Sequence, residues 1–177
     1  VVNDISLFNK DGMYSKKYLS NRIKNETIIN FDFIKDKNIF GMSNTASKVK
    51  LLENIKIPQD IVAIDWYIFS VLLLTTGRAI FTNESQTFYR QHEDNIIGLG
   101  RLNKEIFQQG VFIKLKHYEL LCKEDKQFKS CFKDMLALRD IIISKEVNLD
   151  SLKKIENPFW WEQIKLIEDI NENKVKK

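Results

Sequence analysis

The chain has 177 residues, of which 44% are hydrophobic and 29% charged, the balance of a folded globular protein rather than a disordered one. Its net charge of +4 comes from 28 basic and 24 acidic residues, interspersed so that neither side of Gly100 forms the clustered basic face that phosphate tracking needs; nucleic acid is not an expected partner. Two cysteines, Cys122 and Cys131, match no zinc or C-x-x-C spacing and read as reduced thiols of an intracellular chain.

The opening VVNDISLFN, rich in β-branched and aromatic residues, predicts a strand that reverses around Asp11-Gly12. It has no cationic head followed by an apolar run, so it does not read as a signal peptide, and a chain that opens on Val inside a strand reads as part of a longer one. Residues 14–38 predict short helical turns and loops. NIFGMSNTASK, with Gly41 at its centre, predicts a strand approached closely by another group, and VKLLENIKIP a short helix stopped at Pro58. QDIVAIDWYIFSVLLLTTG is apolar around most of its circumference, which predicts a buried helix ending at Gly77. Its apolar run is shorter than the roughly 18 residues of a membrane span. RAIFTNESQTFYRQH predicts a strand with a bend at TNES. Beyond Gly100 the pattern is helical over 103–122 and over 125–143, where Phe128, Cys131, Phe132, Met135 and Ile142 recur at helical spacing. NPFWWEQIKLIEDI predicts a third helix with Pro158 in its first turn, and NENKVKK a frayed tail. The FWW run reads as a core contact, with a membrane interface as the alternative. The expected architecture is mixed α/β over residues 1–100 and helical over 101–177.

Three groups of residues suggest chemistry. Asp65 is an acid in an apolar setting at a helix start, where it can act either as a general base toward a hydroxyl or simply as a first-turn acid. Tyr89, Arg90, Gln91 and His92 crowd one strand end. The guanidinium suits phosphate oxygens, and the imidazole suits a phosphate, a metal or proton exchange; a solvated strand end accounts for them equally. Gly41, Asn44 and Thr45 fit either a sugar-contacting loop or an ordinary strand turn. His117 has no partner pattern. No P-loop, G-x-G-x-x-G, H-E-x-x-H or G-x-S-x-G motif is present, which removes most support for phosphate-loop enzymes, zincins and serine hydrolases.

In order, Gly41 with Asn44-Thr45, then Asp65-Trp66 opening an apolar helix, then FYRQHEDNIIG, resemble the second half of the family 2 glycosyltransferases of GT-A fold, nearest the bacterial rhamnosyltransferase-like branch that builds cell-surface polysaccharides. VVNDISLFNKDG is similar to the strand and turn that follow the family's metal-binding segment. The resemblance covers residues 1–100 and treats 101–177 as a variable helical extension. It implies a partial GT-A mixed sheet and an inverting transferase moving a sugar from a nucleotide-diphosphate donor to a hydroxyl of a cell-surface glycan or lipid-linked acceptor. Asp65 takes the position of the catalytic base. Tyr89, Arg90, Gln91 and His92 stand near the donor diphosphate, with Asn95 and Gly98 shaping the loop beyond. Gly41, Asn44, Thr45 and Trp66 lie toward the acceptor or sugar. A divalent cation, Mg or Mn, is implied, with His92 as a candidate ligand and the main ligands upstream of Val1, since no D-x-D is suitably placed here. Weak donor binding by this chain alone follows. The implied location is the cytoplasm, with peripheral attachment to the inner face of the membrane left open. The rival from another class is a non-catalytic helical interaction module on an α/β scaffold.

Overall fold

A computed structural model describes residues 1–92, 102–144 and 155–165. Strand β1 (Val2–Asn9) runs into the turn foreseen at Asp11, whose backbone N–H donates to Asn9 Oδ1 at 2.8 Å, and returns as β2 (Gly12–Ser15). Gly12 takes φ +119°, a backbone that a side chain would strain. After β3 (Ile28–Ile29), the helices α1 (Phe31–Ile34) and α2 (Ile64–Thr76) carry the chain back to β4 (Ala79–Arg90), which lies parallel to β1. The sheet order is β2-β1-β4-β3, a mixed α/β arrangement.

The bend expected at TNES is a bulge within one continuous strand: Asn3 pairs with Thr82, whereas Asp4 pairs with Gln86. From there the register puts Ile5 and Leu7 beside Thr87 and Tyr89 on one face, and Asp4, Ser6 and Phe8 beside Gln86, Phe88 and Arg90 on the other. Three polar members of the second face, Asp4, Ser6 and Gln86, are paired. Ser6 Oγ donates to Gln86 Oε1 at 2.6 Å. Fully buried Asp4 accepts from the backbone N–H of Ile5 and Leu19 and from the Ser20 hydroxyl, which pins residues 17–20 over the sheet.

Helix α2 forms for the expected reasons. It buries Trp66, Tyr67, Phe69, Leu72 and Leu73, and left-handed Gly77 stops it by donating its N–H to Leu73 O at 2.9 Å. Two expectations just before it are corrected. NIFGMSNTASK is not a strand but a loop joined to β1 through the single bridge Val2↔Thr45, and VKLLENIKIP contains only the 3-10 turn Val49–Leu51. Helix α3 (Lys104–Glu124) starts at Asn103, whose side chain accepts from Ile106 N at 2.7 Å, and α4 (Lys129–Ser144) follows a 3-10 turn. One hydrophobic core draws on the sheet, α2, α3, α4 and residues 159–164.

Residues 158–165 do not form the helix that Pro158 suggested. They cross back over the N-terminal part as a turn with one bridge, Asn38↔Trp160, and with Trp161 at φ +69°. Long-range partners outweigh the local preference. Tyr18 Oη donates to Pro158 O at 2.8 Å, and Arg22 grips Glu162 with both terminal nitrogens while its guanidinium lies 4.3 Å from the Phe159 ring centroid. The buried ammonium of Lys114 on α3 donates to the carbonyls of Asp36, Trp161 and Ile164 at 2.6, 3.3 and 2.6 Å. Burial brings its pKa down to about 8.

Gly110 on α3 makes this crossing feasible, because a Cβ there would sit 2.8 Å from Ile164 Cδ1. Gly110→Ala improves helix propensity by about 1 kcal/mol, yet overpacking a fully buried contact costs about 1–3 kcal/mol. A net loss of stability is expected in urea unfolding. A net gain would mean that Ile164 yields freely.

His117 predicts a pH response. Its ring stacks on Trp66 with centroids 3.9 Å apart, it is fully buried, and neither ring nitrogen has a hydrogen-bond partner among the described residues. Burial, then the nearby Lys114 charge, hold its pKa well below the ordinary 6.5. The folded state therefore resists a proton that the unfolded chain accepts. This contribution is complete above about pH 6.5 and is lost as the pH falls below it. The thermal midpoint is expected to drop on acidification more steeply for the parent than for His117→Phe; equal slopes would refute the assignment.

Candidate functional site

Asp65 occupies the first turn of α2, after an N-cap, Ala63, that makes no side-chain cap bond. Its Oδ1 accepts from Trp66 N at 2.7 Å, and among the described residues no cation pairs with it. Burial raises its pKa, with backbone hydrogen bonds from Trp66 and from Asp65 itself opposing. A carboxylate held this way is a stronger base than an exposed one, and helix N–H groups stabilise its charge without neutralising it.

Tyr89 comes to the same place from the C-terminal end of β4. Its side chain is on the sheet face shared with Leu7, and burial, followed by the negative charge of Asp65, raises its pKa, while the Trp160 side chain acts the other way. The rings of Tyr89 and Trp160 meet edge to face at 5.5 Å. An acid, a phenol that stays protonated and an indole thus converge from three separate parts of the chain. Trp160 is the member that sequence reasoning missed. The FWW run contained it, but local pattern gives no sign that residues 158–165 return to β4.

Arg90, the next residue of the expected donor cluster, diverges from Tyr89. Strand alternation puts exposed Arg90 on the opposite sheet face beside Phe8, so one face does not carry both Tyr89 and Arg90. Gln91 closes the strand by donating its backbone N–H to Phe8 O at 2.7 Å, and exposed His92 follows it. Asn95 and Gly98 lie outside the described residues.

The residues expected to face an acceptor are occupied structurally. Trp66 is fully buried: its Nε1 donates to Ile34 O at 2.8 Å, and its ring stacks on His117 and lies parallel to Trp161. No surface is left for a sugar. Asn44 is buried too, its Oδ1 accepting from Gly41 N at 2.6 Å and its Nδ2 donating to Asn3 O and Ile39 O. Gly41 is required by this side chain, since a Cβ would meet Asn44 Oδ1 at 3.0 Å. Asn44 thus ties its loop to β1. The Thr45 hydroxyl is buried without a hydrogen-bond partner among the described residues.

The divalent ion implied by the resemblance finds no group of three or more His, Cys, Asp or Glu side chains that could hold it among the described residues, and His92 alone offers a single ligand. No helix among those residues is long and apolar enough to cross a membrane. No family model matches the chain, and neither curated proteins nor solved structures provide a significant match.

Proposed function

We propose that the Asp65 site serves in inverting glycosyl transfer from a nucleotide-diphosphate sugar to a hydroxyl of a glycan or lipid-linked acceptor. The observation that carries this reading is the Asp65 carboxylate itself: partly desolvated, held by backbone N–H groups, near enough for its charge to be felt at Tyr89, and paired with no cation among the described residues. The same bonds to first-turn N–H groups would serve a structural acid, and what separates the two roles is the response of transfer, set against that of stability, to Asp65→Asn.

In the proposed reaction the acceptor hydroxyl donates a hydrogen bond to Asp65. As its oxygen attacks the anomeric carbon, the proton passes to the carboxylate. The carbon–oxygen bond to the diphosphate breaks on the opposite side, taking its electron pair onto the leaving group. One proton moves, one glycosidic bond replaces another, and the configuration inverts. The Tyr89 hydroxyl, kept protonated, orients the acceptor or the carboxylate. Arg90, with Gln91 and His92, is the cation-bearing strand end available to the diphosphate, reached around the edge of β4 rather than across one shared face. A divalent ion would add charge neutralisation at the leaving group.

The test is release of nucleoside diphosphate from a panel of nucleotide sugars by the complete protein, parent against Asp65→Asn. Unchanged release would end the proposal and favour a scaffold role for this region.

A further inference from the structure

A second feature lies away from Asp65. The C-terminal half of α2, the loop after Gly41 and the start of β4 line an open cavity of about 580 Å³. Phe40, Phe69, Leu72 and Leu73 form its apolar wall; Lys48 and Arg78 stand on its lining, which contains no acid. The 3-10 turn Val49–Leu51 explains how this rim is made: with three residues per turn, Lys48 and Leu51 fall on one side, toward the cavity, while Val49 points away.

That turn is unusual for an exposed segment. Val49 is 73% and Leu51 42% exposed, interleaved with exposed Lys48 and Lys50, and Ile57 with Lys56 repeats the pairing a few residues on. Glu53 is the one acid between residues 48 and 57. Exposed aliphatic side chains alternating with lysines, around the mouth of an apolar cavity with a basic rim, complement an anionic lipid surface: headgroup phosphates for the lysines, the interface for Val49 and Leu51, and room behind them for an acyl chain. A protein partner would be expected to present acids to these lysines, but it would leave the cavity unexplained.

We propose that residues 48–57 and the cavity behind them form a docking face for an anionic bilayer, with the cavity taking one acyl chain. This inference is independent of the transfer reading, because it needs neither donor nor acceptor. The experiment is co-sedimentation with vesicles of phosphatidylcholine alone and of phosphatidylcholine mixed with phosphatidylglycerol, at low and high salt. Binding is expected only to the anionic vesicles and is expected to fade with salt. Val49→Asp combined with Leu51→Asp, and separately Lys48→Gln combined with Lys50→Gln, should each weaken it by about tenfold. All four positions are exposed, and an unchanged thermal midpoint verifies the fold. Equal binding to uncharged vesicles, binding undiminished in either double variant, or no binding at low salt would overturn the proposal. None of these outcomes bears on the Asp65 experiment.

Discussion

Asp65→Asn is expected to reduce glycosyl transfer by about 10²- to 10⁴-fold, the usual contribution of a positioned general base, without weakening the fold. The two halves of this expectation come from the same geometry. Burial raises the Asp65 pKa, so the folded state favours the protonated acid more than the unfolded chain does. Any stability from this group is present below the unfolded carboxyl pKa of about 3.9 and is lost as pH rises through the higher folded value. Near neutrality the ionised carboxylate is therefore a burden on the fold. Asn removes the charge while its amide oxygen can still accept from Trp66 N. Stability equal to the parent or greater is expected in chemical denaturation, alongside the loss of transfer. A variant that lost both together would point to a structural acid.

Trp66→Ala, one residue along, should do the reverse. Trp66 is the largest wholly buried side chain, and its removal deletes the stacking on His117, the contact with Tyr118 and the bond to Ile34 O. Truncating a buried Trp costs about 3–5 kcal/mol, a large share of the 5–15 kcal/mol that holds a typical domain together. The orphaned Ile34 carbonyl and the exposed face of His117 push the cost toward the upper end. Equilibrium urea unfolding measures it directly. A loss under about 1 kcal/mol would show that the helix carrying Asp65 is anchored elsewhere.

What could be read from the chain followed the range of the interaction that decides each element. The strand and turn at Asp11-Gly12, the apolar helix with its Gly77 stop and the two helices after Gly100 depend on neighbours within a few residues, and they form as expected. Even the bend in TNES marked a real irregularity, since Asn83, Glu84 and Ser85 are the residues skipped by the β1 register. Failures came where distant groups override local preference. Pro158 suits a helix start, but Asn38, Arg22 and Lys114 offer partners that an isolated helix could not match. Likewise Asn44 looks like a free polar side chain until β1 and Ile39 lie beside it. For the candidate site, Asp65 and Tyr89 were recognisable as residues of interest; their approach to one another and to Trp160 is a property of the sheet and of the returning segment, not of spacing.

The grip of Arg22 on Glu162 and of Tyr18 on Pro158 spans 140 positions in each case. During synthesis the first of these partners leaves the ribosome long before the second exists, so the neighbourhood of Tyr89 stays open until nearly the whole described chain has been made. Chaperones that shield nascent apolar surface would find a target there until Trp160 closes against the Tyr89 ring.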